Sequence, residues 1–172
     1  MDMQEKLKSI DLLLLDVDGV LTDGGLIYDD NGCQIKKFNS KDGLGIRLLL
    51  DFNIKVGIIT GRSSKALTHR CQNLGITLLF QGIKDKAEIL KQILKQTGIP
   101  ASNTAFMGDD LPDLPVMKQV GIPIAVSDAH QDLYSIAAII TSARGGHGAV
   151  REICEAILKS KGLWSQVQKQ FE

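Results

Sequence analysis

The chain has no net charge, because its twenty lysines and arginines are matched by twenty aspartates and glutamates. Such a balance gives no electrostatic footprint for nucleic acid or an anionic membrane, so neither partner is expected. Cysteine is scarce. Cys33, Cys71 and Cys154 are odd in number, widely spaced and in no Cys-x-x-Cys arrangement. They suggest neither a disulfide framework nor a zinc site, and they fit a reducing cytoplasm. Long apolar runs are missing as well, and none reaches the length of a membrane span. The first ten residues mix Asp2, Glu5, Lys6 and Lys8 without a signal-like apolar core, so a soluble cytoplasmic protein is expected. There is no internal repeat, low-complexity tract or linker, and 172 residues suit a single domain, residues 1–172, with a full hydrophobic core.

What is present is an alternation of short apolar runs with helical patterns. Strands are expected at 11–16, 55–59, 77–80, 104–107, 122–126 and 139–141, each bounded by Gly, Pro, Asn or Asp. Between them, Asp85 and Glu88 read as a capping box ahead of Ala87, Leu90, Ile93 and Leu94 at helical spacing, with Gly98 and Pro100 as the stop. Ala149, Val150, Ile153, Cys154, Ile157 and Leu158 form a similar stripe in the last long helix. Repeated strand and helix alternation implies an α/β fold, a doubly wound, mostly parallel sheet with helices on both faces.

The first strand carries the strongest chemical signal. Leu12-Leu13-Leu14-Leu15 runs straight into Asp16-Val17-Asp18-Gly19. Residues two apart on a strand point the same way, so Asp16 and Asp18 face one site at the carboxyl end of the sheet, where open α/β sheets bind ligands. Asp-Gly after an apolar run is also an ordinary turn, and only companion features argue otherwise. Three exist. Thr60-Gly61-Arg62 places a hydroxyl and backbone N–H groups before a helix start, a setting suited to phosphate oxygens. Lys86 at another helix head brings positive charge. Gly108-Asp109-Asp110, with Asp113 beyond, adds carboxylates at the mouth of a fourth strand. Two like charges about 4 Å apart cost about 4 kcal/mol at an effective dielectric near 20, so convergence of Asp16, Asp18 and Asp109 requires a hard cation. Oxygen ligands with only three histidines in the chain favour Mg²⁺ over zinc.

One segment interrupts the alternation. Residues 25–28 and 34–38 flank Asp29-Asp30-Asn31-Gly32-Cys33, a β-hairpin with Asn31-Gly32 in its turn, projecting as a flap over about 24–39. Loops at this end of a parallel sheet carry the site more often than they decorate it. The tail, about 162–172, holds the lone tryptophan, Trp164, and is expected either to reach a neighbouring subunit or to fray. His147, in a Gly-Gly-His-Gly turn, is given no catalytic role.

Asp16-x-Asp18-x-x-x-Thr22, Thr60, Lys86 and Gly108-Asp109-Asp110 together resemble the four motifs of the haloacid dehalogenase-like phosphohydrolases. From Leu12 to about Ser160 the chain further resembles the 3-deoxy-D-manno-octulosonate 8-phosphate phosphatase family of bacterial lipopolysaccharide synthesis. The resemblance is carried by Gly24-Gly25, residues 38–47, Ile58 to Arg62, Arg70-Cys71, Leu74-Gly75-Ile76 and Gly145 to Glu152. It implies that Asp16 attacks phosphorus to form an aspartyl phosphate and that Asp18 is the acid and then the base. Mg²⁺ would be held by Asp16, Asp109 and the Asp18 backbone carbonyl, with Asp110 or Asp113 behind. Thr60 and Lys86 would hold the phosphoryl oxygens. Asn39, Ser40, Lys41, Asp42 and Gly43, with Arg47, Gly61, Arg62 and Arg70, would bind the sugar acid alongside Asp18 and Lys86. Arg47 and Arg70 fall within helices, where solvated arginines are common. Thr60 to Lys86 leaves no room for a cap domain, so the chain is expected to be capless. The resemblance implies a homotetramer whose hairpins complete neighbouring sites. Two other readings stay open: a phosphatase for a nine-carbon sialic-type 9-phosphate, and a non-catalytic assembly or regulatory domain of the same fold.

Overall fold

The computed structural model describes residues 3–172. In chain order its first half runs α1 (Met3–Lys8), β1 (Leu12–Leu15), β2 (Ile27–Tyr28), β3 (Gln34–Ile35), α2 (Ser40–Asp51), β4 (Lys55–Ile59), α3 (Lys65–Leu74) and β5 (Leu78–Phe80). The second half runs α4 (Lys86–Thr97), β6 (Thr104–Gly108), α5 (Leu114–Met117), β7 (Ile122–Ala125), α6 (Gln131–Tyr134), β8 (Ile139–Ile140), α7 (Ala149–Ser160) and α8 (Trp164–Lys169).

Six strands pair in parallel in the order β5-β4-β1-β6-β7-β8. The chain winds outward from β1 through β4 and β5, then crosses back and winds the other way through β6, β7 and β8. Leu12 is in register with Lys55 on one side and Thr104 on the other. Winding therefore reverses between β1 and β6, and a crevice opens there at the carboxyl ends of the strands. Every residue of β1 and β6 is buried. A strand buried on both of its alternating faces needs cover on both, so uninterrupted aliphatic runs rather than alternating ones mark the centre of this sheet. The doubly wound parallel sheet expected from the sequence is present, with all six strands in the expected places.

The helices follow local chemistry. Asp85 caps α4 by accepting the Glu88 N–H at 3.0 Å, and Gly98 ends it in the left-handed region at φ 70°. Glu88 turns to Lys91 at 3.4 Å. On α7 all six residues of the expected stripe are buried, and the helix packs along α2. The Gly61–Ser64 segment leads into the helix expected after Arg62: the Ser64 N–H donates to Gln81 Oε1 at 2.8 Å, and α3 begins at Lys65.

The flap is a hairpin with two-residue strands, paired Ile27 to Ile35 and Tyr28 to Gln34. Its loop is a turn closed by the Gly32 N–H on Asp29 O at 2.9 Å, with Gly32 at φ 75° and Asp29 Oδ1 accepting from Asn31 and Cys33. Asn31-Gly32 thus supplies the last two residues of a three-residue loop, 30–32. Leu26, Ile27, Tyr28 and Ile35 are all exposed. Over Trp164–Lys169 the tail is ordered rather than frayed. It forms α8, with Val167 buried and Trp164 between Arg151 and Lys159, whose cationic groups lie 5.9 and 4.8 Å from its ring.

Candidate active site

Asp16 is the first residue beyond β1, and its N–H still donates to Met107 O at 3.0 Å. Val17 is buried on the far side, as strand alternation requires. The chain then closes into a tight turn in which the N–H groups of Val20, Leu21 and Thr22 all donate to Val17 O at 2.9–3.2 Å. Gly19 has φ 95°, and a Cβ there would lie 2.0 Å from Asp109 Oδ2, so glycine is required twice over. Buried Thr22 staples the turn, donating to Val17 O and accepting from the Gly24 N–H, each at 3.3 Å.

The neighbouring strands deliver the other groups. Thr60, just past β4, is buried, with its N–H on Phe80 O at 3.0 Å and its Oγ1 accepting from the Arg62 N–H at 3.4 Å. Asp109 lies just past β6. Lys86 is the first residue of α4, where the helix dipole disfavours a cation, and two carboxylates offset this. Its Nζ lies 2.9 Å from Asp16 Oδ1 and 2.7 Å from Asp113 Oδ1. Asp113 is 1% exposed, and its other oxygen accepts the N–H groups of Asp109 and Asp110 at 2.9 and 3.4 Å. Of the two acids expected behind the metal ligands, Asp113 is the one wired into the site. Asp110 instead accepts the Leu111 N–H at 2.8 Å.

Together Asp16, Asp18, Thr60, Arg62, Lys86 and Asp109 line much of a cleft of about 460 Å³. A depression of similar size at the opposite end of β4, bordered by Lys55, Thr77 and Gln96, gathers no carboxylates.

The electrostatics of the cleft are those of a cation site. One carboxylate oxygen each from Asp16, Asp109 and Asp113 lies within 4.8 Å of the others. Asp109 Oδ1 is buried without a hydrogen-bond partner, while the buried Asp16 Oδ1 is paired with the Lys86 ammonium. Burial, then the charges of Asp16, Asp113 and Asp110, push the Asp109 carboxyl up to about 8. Burial and then Asp113 raise Asp16 to about 6 against the pull of Lys86. Burial alone would lower the Lys86 ammonium, but Asp16 and Asp113 overcome it and hold it above the ordinary lysine value. An unpartnered Asp109 oxygen among carboxylates that repel one another fits a hard divalent cation such as Mg²⁺. The Asp18 carboxylate stands outside this group, with Oδ1 paired to Lys36 and Oδ2 3.9 Å from Arg62 Nε.

The expected sugar-binding segment is divided. Asn39, Ser40 and Lys41 border a second depression with Lys37, Gly146 and His147. Asn39 caps α2 by accepting from the Lys41 N–H at 2.8 Å and donates to Gly146 O at 3.3 Å. The Asp42 carboxylate turns inward: it is 1% exposed and accepts the Arg151 N–H at 2.8 Å, capping α7. Arg70 lies across the start of α2, donating to Asn39 O at 3.1 Å, and it occupies the space a side chain at Gly43 would need. Arg62 and Gly61 are exposed at the cleft mouth. Arg47 is exposed on α2 beside Gln72 and Gly75, outside both depressions. The His147 Nδ1 is engaged with Gly145 O at 2.8 Å. Sequence reasoning missed Lys36, whose position at the base of a short hairpin gave no signal by spacing.

Comparison with known proteins places this geometry. A family model described as haloacid dehalogenase-like hydrolase matches residues 76–153. The 3-deoxy-D-manno-octulosonate 8-phosphate phosphatase of Escherichia coli K12 is 45% identical over 169 residues, covering 98% of this chain and 90% of that protein. The chain belongs to the 3-deoxy-D-manno-octulosonate 8-phosphate phosphatases of the haloacid dehalogenase-like hydrolases. The Haemophilus influenzae relative is 44% identical over 160 residues, 93% of this chain and 89% of its own. Among solved structures, the Moraxella catarrhalis enzyme in complex with magnesium, phosphate and a KDO molecule superposes with a TM-score of 0.95. It is 40% identical and covers 98% of this chain and 97% of that one. Members of this family thus share the fold over essentially the full length described here. Among the described residues no helix is long and apolar enough to cross a membrane.

Proposed function

We propose that this chain is a Mg²⁺-dependent phosphatase that hydrolyses 3-deoxy-D-manno-octulosonate 8-phosphate to the free sugar acid and phosphate, in lipopolysaccharide synthesis in the bacterial cytoplasm. The observation that carries the reading is the convergence of buried Asp16, paired with Lys86, and Asp109, whose inner oxygen has no partner, at the switch point of the sheet. A family with a member structure holding magnesium, phosphate and KDO supports the same ligands here.

Asp16 is the nucleophile, placed at the end of a wholly buried strand and forming an aspartyl phosphate. Asp18 gives a proton to the departing sugar alkoxide and later takes one from the attacking water. Thr60 and Lys86 hold the phosphoryl oxygens, and Asp113 fixes Lys86 for that task. Asp16, Asp109 and the Asp18 backbone carbonyl hold Mg²⁺, which when bound screens the anionic nucleophile from the anionic phosphate.

Substrate choice falls to the cations and donors around the cleft. Arg62 and Gly61 border the phosphate position, and a forked guanidinium suits a sugar carboxylate. The start of α2, from Asn39 to Gly43, offers hydrogen-bond donors to the sugar, with Arg70 and Asp42 holding its shape. Arg47 is exposed on α2 away from the cleft, beside Gln72 and Gly75, so a direct role in sugar binding within the same copy is not supported. The exposed apolar side chains of the hairpin support a homotetramer in which hairpins complete adjacent, capless sites.

Asp16→Asn tests the reading. Turnover should vanish while fold and assembly persist, and borohydride trapping during wild-type turnover should modify Asp16. Near-normal activity of the variant, with deamidation excluded, would refute the nucleophile.

A further inference from the structure

Two consecutive lysines at the foot of the hairpin face opposite ways. The Lys37 side chain is 68% exposed and pairs with Asp23 at 3.1 Å, whereas the Lys36 side chain is 3% exposed and its Nζ donates to Asp18 Oδ1. Alternation along an extended segment accounts for the opposite directions. Burying an ammonium is costly unless it is paired, so the placement of Lys36 is specified by Asp18.

Asp18 needs such a partner. It lies two residues beyond Asp16, in the turn rather than on the β1 ladder, so sheet bonding does not set its side-chain rotamer. Its second oxygen is 3.9 Å from Arg62 Nε, an exposed and weaker contact. The hairpin thus reaches back eighteen residues to grip one oxygen of the proposed acid, and the other oxygen faces the cleft mouth.

We propose that Lys36 is a positioning residue: it holds the Asp18 carboxylate in the orientation from which the departing alkoxide is served, and so ties the acid step to the seating of the hairpin. The inference rests on the phosphatase reading above, with Asp18 as the acid. Lys36 forms no covalent bond and transfers no proton. It acts on the rate through Asp18 alone.

The rival role is direct capture of the substrate carboxylate by Lys36. The two separate by leaving group and by substrate charge. Wild type, Lys36→Met and Lys36→Arg are compared by kcat/KM with Mg²⁺ on three substrates. These are the eight-carbon acid phosphate, a pentose 5-phosphate that lacks a carboxylate, and p-nitrophenyl phosphate, whose leaving group needs no proton. Because kcat/KM reports steps only through leaving-group departure, loss of the oriented acid shows there. Lys36→Met should lower kcat/KM on both sugar phosphates by about tenfold or more, within the hundredfold-or-greater reach of general acid catalysis. The aryl phosphate should stay close to wild type, and Lys36→Arg should recover most of the loss.

A loss confined to the acid phosphate would overturn the proposal in favour of carboxylate binding. Equal losses on all three, or failure of arginine to rescue, would overturn it in favour of a role in the fold or on the phosphate. A wild-type protein inert toward all three would instead defeat the phosphatase reading, and the proposal with it.

Discussion

Asp113 grips Lys86 at 2.7 Å from behind the nucleophile, and both side chains are almost wholly buried. The lysine that faces Asp16 is thereby fixed by an acid that faces the backbone, since the other Asp113 oxygen accepts from Asp109 and Asp110. Removing Asp113 leaves Lys86 with Asp16 alone and orphans the N–H groups of Asp109 and Asp110. Asp113→Ala should therefore lower stability by about 3 kcal/mol in urea titrations. Activity should fall as well, and Asp113→Asn, which keeps an acceptor for the two N–H groups, should lose less stability than the alanine variant.

The raised carboxyls define a pH dependence for the metal-free protein. Asp109 is pushed to about 8 and Asp16 to about 6, from an ordinary value of 3.8. Between about pH 4 and pH 8 the folded state therefore holds more protons than the unfolded one, and stability falls as pH rises through that window. The penalty is complete above the folded value of Asp109 and absent below the unfolded carboxylate range. Mg²⁺ takes the place of those protons, so its stabilisation should grow with pH. Melting temperatures in EDTA and in Mg²⁺ from pH 5 to about pH 9 check this. Parallel curves would refute the site.

Arg62 is exposed at the cleft mouth, 3.9 Å from Asp18. Arg62→Ala should weaken use of the sugar acid phosphate far more than use of a small aryl phosphate. Equal losses would assign Arg62 to the phosphate or to Asp18 instead.

The hairpin exposes Ile27, Tyr28 and Ile35. Charges introduced there as Ile27→Lys with Ile35→Lys should break the proposed tetramer with little effect on the fold of each protomer, as read by light scattering after gel filtration. An unchanged mass would place the interface elsewhere.

Much of the fold was legible in the chain because its signals are local. The aliphatic run 12–15 declares a strand buried on both faces, and Gly98 and Pro100 declare a helix end. Asp16, Thr60, Lys86 and Asp109 were legible because each sits where an element begins or ends. Partnerships across distant elements were not. Asp42 reads as a polar residue near a sugar, yet its carboxylate caps α7 more than a hundred residues away. Lys36 reads as hairpin surface, yet it reaches Asp18. The tie of the Ser64 N–H to Gln81, on a different strand end, likewise left no trace in local spacing. Spacing encodes direction along an element, while these contacts depend on how elements pack.

The most direct test is phosphate release by the intact protein, with Mg²⁺ and with EDTA. The substrates are 3-deoxy-D-manno-octulosonate 8-phosphate, a nine-carbon sugar acid 9-phosphate and simple sugar phosphates. A strong preference for the eight-carbon acid that EDTA abolishes is the predicted result. Preference for the nine-carbon acid, metal-independent turnover, or no turnover of any of them would contradict the account.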